Sequence, residues 1–317
     1  MKMLKRIEYQ EIRTWFHRNA RPLEMAVWNY FHENGPREAI ADELAYYQNE
    51  DGGFGNAVEP DGWNPESSPY ATMTAAVLLR RIEFIEHAGI DHPMVQGILR
   101  YLESGVYSDE DGWFFSIPSS DNYPHAPWWA FSEEENKLQS LGITAGLGAF
   151  ILHYAEPESG VYKKAMKYTE QLLEKAGVTE DFGEMGAGGM CILLVEVLQK
   201  GLFPAMDCGK LLEKMGAALN SRIERNPEKW AMYTPRPSEF IESPTSPLYK
   251  GNEEIVETEL NYLIDTRNPG GVWNITWSWF DLGEKYTKEF AISANWWMGI
   301  KAIDKVSFLK NFGRVEV

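Results

Sequence analysis

The chain has 317 residues, 44% of them hydrophobic, which is enough to bury a sizeable core in one large domain or two ordinary ones. Lys and Arg total 30 against 47 Asp and Glu, a formal charge of -17, so the molecule as a whole repels a nucleic-acid backbone or an anionic membrane face and suits neutral or cationic partners. Two cysteines, Cys191 and Cys208, make neither a disulfide framework nor a thiolate metal cluster, and both are expected to be reduced and packed as small apolar groups.

The first residues, MKMLKRIEYQEIRTW, lack the apolar centre of a signal peptide, and no run approaches the roughly 20 apolar residues that span a bilayer, so a cytoplasmic location without membrane insertion is expected. Two kinds of helix then alternate. PLEMAVWNYFHENG predicts a first apolar helix from residue 22, and the stripe Ile40, Leu44 and Tyr47 predicts an amphipathic one. Residues 70–85, apolar nearly all round, precede the stripe Val95, Ile98, Leu99 and Leu102. Residues 143–155 and 185–198 are again apolar, and they bracket the stripe Val161, Ala165, Tyr168 and Leu172. Amphipathic stripes at Leu211, Met215, Leu219 and Ile223 and at Val256, Leu260, Leu263 and Ile264 precede a last apolar helix over 290–303.

A helix without a polar face has to be covered on all sides, whereas a striped one covers something on one side and meets water on the other. Taken in turn, they predict an all-α fold, an α/α toroid (barrel) of about five to six helix pairs with an inner apolar ring and an outer amphipathic ring. No segment alternates convincingly as a strand, and a single domain over 1–317 is expected, with the Pro-rich stretch 226–251 as a lid or binding loop.

The loops repeat as well. YYQNEDGGFG ends at Gly55, YLESGVYSDEDGWFF at Phe115, EDFGEMGAGG at Gly189 and YLIDTRNPGGVW at Trp273, each between a helix end and an apolar helix. Glycines allow a tight turn, with positive φ expected at Gly53, while Phe54, Trp113 and Trp273 are positioned to anchor the turns between helices. Gln48 is expected to bond free carbonyls at the outer helix C-terminus. These residues resemble the repeats of the terpenoid cyclase and protein prenyltransferase superfamily, a resemblance that implies an α/α toroid with a central cavity. The catalytic motifs of either branch do not carry over. The nearest run to a D-x-D-D cluster is DEDG at 109–112, inside a turn, and Cys208 follows Asp207 directly where the prenyltransferases have an Asp-x-Cys pair for zinc. No metal or other cofactor is expected.

Acids and aromatics instead gather in the loops that precede apolar helices. AVEPDGWNPESSP carries Glu59, Asp61 and Trp63; SSDNYPHAPWWAFSEEENK carries Asp121, His125, Trp128 and Trp129; YTPRPSEFIESPTSPLY carries Tyr233, Arg236 and Glu239. Aromatic groups beside carboxylates suit a ring-shaped polar ligand, and an acid held ionised near one kept protonated is an arrangement used for general acid/base chemistry. Glu59, Asp61 and His125 are therefore the candidate catalytic residues, and Trp63, Trp128, Trp129, Tyr233, Arg236 and Glu239 the candidate substrate-binding ones. The same acids suit helix capping and loop tying, so three readings stay open: an enzyme acting on a saccharide or glycoside, an isoprenoid or terpenoid cyclase-like enzyme with an apolar central cavity, and a non-catalytic peptide- or glycan-binding module. The first two take a small-molecule ligand, in the cavity or in a loop-lined cleft.

Overall fold

The computed structural model describes residues 1–316, and among them no strand forms; the chain is all-α, with thirteen α-helices joined by turns and isolated bridges. The helices are α1 (Arg6–Asn19), α2 (Pro22–His32), α3 (Glu38–Leu44), α4 (Pro69–Arg81), α5 (Phe84–Ala88), α6 (Pro93–Ser104) and α7 (Glu133–Tyr154). They continue with α8 (Gly160–Val178), α9 (Gly183–Lys200), α10 (Cys208–Arg222), α11 (Glu253–Thr266), α12 (Phe280–Lys285) and α13 (Thr287–Asn311). Among the described residues no helix is long and apolar enough to cross a membrane. Contacts divide the chain into two compact units, residues 44–219 and residues 1–43 with 220–317.

In the unit 44–219 the apolar helices pack in succession, α4 on α7 and α7 on α9, while the amphipathic α6 and α8 pack on each other and onto α4 and α7 respectively. Hydroxyl caps set the starts. Ser68 accepts from the Ala71 N–H ahead of α4, Ser132 from the Glu135 N–H ahead of α7, and Ser159 from the Tyr162 N–H ahead of α8, each satisfying a donor the helix leaves open. The contact of α7 with α9 is close because glycines face each other. A Cβ on Gly189 would lie 2.6 Å from the Gly142 carbonyl oxygen, and one on Gly142 2.7 Å from Met185.

The repeated turns are built alike. Phe54 and Trp113 are fully buried, and each donates its backbone N–H, at 3.0 Å, to a threonine of the apolar helix that follows, Thr72 on α4 and Thr144 on α7. Trp113 Nε1 also reaches back to the Leu102 carbonyl on α6. Two details differ from expectation. Positive φ falls on Gly52 (94°), whose Cβ would sit 2.2 Å from the Gly97 carbonyl, whereas Gly53 is glycine because a Cβ would lie 2.6 Å from that of Ser67. Gln48 Nε2 donates to the Gly52 and Met94 carbonyls, tying the turn to the start of α6 instead of to a helix end.

In the unit 1–43 with 220–317, α13 packs on α1, α2 and α12, and Trp28 of α2 stacks on Phe16 of α1 at 4.3 Å. Trp273 Nε1 donates to the Leu263 carbonyl of α11, repeating the contact made by Trp113. The stretch 226–251 carries 3-10 turns at Pro227–Lys229 and Pro237–Glu239, both packed on α11, with Trp230 and Ile241 fully buried.

Candidate functional site

Within the unit 44–219 the loops before α4 and α7 are stitched together. Gly62 and His125 form an antiparallel bridge. Trp63 N–H donates to the Pro124 carbonyl at 3.0 Å and Ala126 N–H to the Asp61 carbonyl at 2.8 Å. Asn64 Nδ2 reaches Ser119 Oγ, which donates to Glu66. Both loops are short of regular structure, so these cross-links supply the rigidity that a helix or sheet would otherwise provide.

The two loops enclose a cavity of about 40 Å³ whose wall includes Glu59, Asn64, Tyr70, Ser116, His125 and Trp129. That is room for roughly three waters, the size of a substituent and not of a whole sugar ring. One side is aromatic: Trp129 lies 4.8 Å from Phe115 at 30° and 4.2 Å from Tyr70. The other is polar. Glu59, only 7% exposed, accepts the Asp61 N–H on Oε2 at 3.0 Å. His125, equally buried, has Nδ1 2.7 Å from the Ala126 carbonyl, which can only accept, so Nδ1 carries the hydrogen and Nε2 is the nitrogen left free of it in the neutral ring. Asp121 Oδ1 stands 3.8 Å from that Nε2. The first turn of α4 borders the cavity through Tyr70 and Ala71, and its partial positive charge favours negative charge there.

Two buried polar atoms of this wall, Trp129 Nε1 and Ser116 Oγ, have no hydrogen-bond partner among the described residues. Leaving such a group unpaired costs about 1–3 kcal/mol, so a ligand oxygen that accepts from the indole recovers energy the fold has given up. Gly62 forms part of the floor: a Cβ there would lie 3.5 Å from Glu59 Oε2 and 3.7 Å from Trp129 Cδ1, the ring atom bonded to Nε1.

The structure thus brings Glu59, His125 and Trp129 onto one cavity. Asp61 is buried next to them but does not line it; its backbone holds Glu59 and Ala126. Trp63 turns its Nε1 to the Pro60 carbonyl and Trp128 is partly exposed, and neither lines the cavity. Tyr233, Arg236 and Glu239 belong to the other unit. There Tyr233 is exposed, with its ring 5.9 Å from that of Trp277, Glu239 is exposed, and Arg236 Nε lies 3.7 Å from Glu259. Ser116, Asn64 and Tyr70 escaped the sequence reading, as did Asn136, which binds the Phe115 and Ser116 N–H groups and the Ser116 carbonyl from the first turn of α7. Asn136 stands among other polar residues in EEENK, and no local signal sets it apart.

A second cavity in the same unit, of about 400 Å³, is lined by Met73, Val77 and Arg80 of α4, Phe150 of α7, and Cys191 and Val195 of α9. Burial pushes the Cys191 thiol up to about 11, so it stays protonated at neutral pH. Arg80 is paired with the buried Glu196 at 2.5 Å, and His153 Nδ1 lies 2.9 Å from the same carboxylate. Among the described residues no group of three or more His, Cys, Asp or Glu is arranged to hold a metal ion. The chain matches no family model, no curated protein and no solved structure.

Proposed function

We propose that the protein is an enzyme acting on a hydroxyl-rich ring substrate, a saccharide or glycoside, by acid/base chemistry in the cavity between the loops before α4 and α7. The observation that carries this reading is the meeting of Glu59 and His125 with the unpartnered donors Trp129 Nε1 and Ser116 Oγ on one small wall. A sugar hydroxyl both donates and accepts, so it can give its hydrogen to Glu59 while accepting from the indole; a carboxylate ligand meets Glu59 and Asp121 and is repelled. Glu59 and His125 Nε2 are the groups that take and return the proton, as general base and general acid of a hydrolysis or elimination. Asp61 positions Glu59 through its backbone N–H. The Tyr70, Phe115 and Trp129 rings form the apolar side of the cavity, which the C–H groups of an entering sugar substituent meet.

The helix alternation and the succession of α4, α7 and α9 support the α/α toroid as the arrangement behind this site, and the net charge of -17 suits a neutral small-molecule substrate for what we take to be a cytoplasmic enzyme. A second reading, an isoprenoid-binding protein of the terpenoid cyclase type, is favoured by the apolar cavity of about 400 Å³.

Thermal shift against soluble oligosaccharides and against isoprenoid diphosphates separates the two. A ligand at about 100 times its dissociation constant adds roughly 2.7 kcal/mol of apparent stability. The expected result is a saccharide-induced shift that Glu59→Gln abolishes while the ligand-free melting temperature stays nearly unchanged. A shift that survives Glu59→Gln, or one produced only by isoprenoids, overturns the assignment of this cavity, and no shift from either panel favours a peptide-binding module.

A further inference from the structure

The small polar cavity and the large apolar one lie along the same helix. Tyr70 and Ala71 of α4 line the first, and Met73, Ala76, Val77 and Arg80 of the same helix line the second. Positions 70, 73, 77 and 80 follow one another at steps of three, four and three, which keeps them on a single stripe of a helix. At 1.5 Å per residue the stripe runs about 15 Å from Tyr70 to Arg80. The stripe meets solvent at the second cavity, where Val77 is 51% exposed and Ile192 of α9, which lines the same cavity, 45%.

The chemistry changes along that stripe. At the N-terminal end of α4 stand hydrogen-bonding groups that lack protein partners; beyond Met73 the lining is apolar until Arg80. An apolar wall rejects hydroxyl groups because it cannot replace their bonds to water. The polar cavity, with room for a substituent only, buries little surface and by itself holds a ligand weakly. Arg80 is already held by Glu196 with His153 beside it, in a chain of net charge -17, so the apolar cavity offers no unclaimed cation to a diphosphate. What fits both ends is a neutral molecule with a hydroxylated head and an apolar body.

We propose that the ligand is an amphiphilic glycoside, whose ring hydroxyls enter the polar cavity and whose apolar aglycone or alkyl chain lies along α4 between α7 and α9. This inference rests on the saccharide reading of the polar cavity and adds the second cavity to it.

The test is calorimetric titration of the intact chain with n-alkyl glucosides, galactosides and mannosides from methyl to hexyl, all below their micellar concentrations. For at least one sugar, affinity should rise with chain length, by up to about fourfold per buried methylene. Val77→Asp, at an exposed position, should flatten that rise. Gly62→Ala should remove binding of the whole series, because its methyl occupies the polar cavity, where its three nearest atoms are side-chain atoms of Glu59 and Trp129 at 3.5 Å or more, ordinary contact. Equal affinity for methyl and hexyl glycosides overturns the amphiphile while leaving the saccharide reading in place. Chain-length dependence that ignores the sugar and survives Gly62→Ala overturns the pairing of the two cavities, and absence of binding by every glycoside overturns both readings together.

Discussion

Lys305 is an ammonium group placed where water hardly reaches it, 6% exposed, with its Nζ 5.3 Å from the Trp273 ring centroid. Burial, together with the neighbouring Arg236 and Lys301, pulls it down to about 7, against the partial opposition of Glu259 and Asp304. Below about pH 7 the folded and unfolded chains both carry the proton, and the cost of the buried charge is fully present. From there to about pH 10 the unfolded chain binds more protons, so this group's contribution to stability improves as pH rises. Glu24 and Glu259, whose carboxyls burial pushes upward, act in the opposite direction, so the effect of Lys305 has to be read as a difference. Lys305→Met keeps the stem that packs near Trp273 and removes the charge. The variant should gain stability over the parent at pH 6, and that gain should shrink by on the order of 2 kcal/mol by pH 9 in paired urea titrations. A pH-independent difference would mean that Lys305 titrates normally. Of the site residues, Glu59, His125 and Trp129 were legible because acids, a histidine and tryptophans stood in loops ahead of apolar helices. Ser116 and Asn136 were not, because nothing about a serine in WFFS or an asparagine in EENK marks the backbone it will meet.

Among the elements, the fit of α7 to α9 depends on missing side chains. Gly189→Val would drive atoms into the Gly142 carbonyl, already 2.6 Å from a bare Cβ, and overpacking of this kind costs about 1–3 kcal/mol. Gly177, in the last turn of α8, has nothing within 4 Å of its Cβ position, so Gly177→Ala should stabilise by up to about 1 kcal/mol. Differential scanning calorimetry of the two variants should show shifts of opposite sign; equal shifts would argue that the helices do not approach closely. The helices themselves were readable, since each apolar or striped segment except 70–85 lies within a helix or a helix and its adjoining turn. The boundaries were less so. The apolar run 143–155 fills the later part of a helix that begins at Glu133 and ends at Tyr154, because Ser132 caps eleven residues before the run, and residues 70–85 are broken between Arg81 and Phe84, where Glu83 takes φ 52°. Periodicity reports which face is buried, and it is silent about a polar first turn.

For the molecule as a whole, the charge of -17 makes self-repulsion a standing cost at neutral pH. Exposed like charges are screened beyond a Debye length that falls from roughly 20 Å to under 10 Å as salt rises from about 20 to 200 mM. The melting temperature at pH 8 should therefore rise by a few degrees over that range and do so less near pH 5, close to the calculated pI of 4.9. A fall with salt at pH 8 would show that specific ion pairs such as Arg21 with Glu24 and Arg314 with Glu257 outweigh the net repulsion.

The sequence by itself determined the all-helical class, the alternation of apolar and striped helices, the Gly/aromatic turns and the acidic, aromatic loops ahead of the apolar helices. These are properties of residues within a few turns of one another, where the helical repeat and the absence of a Cβ act directly. Only the tertiary structure decided that Glu59 and His125, 66 positions apart, share a wall, that Asp61 lies behind it, and that two cavities of opposite character adjoin one helix. Each of those depends on how separate loops and helices pack, a sum of many small contacts between distant residues that no local spacing encodes.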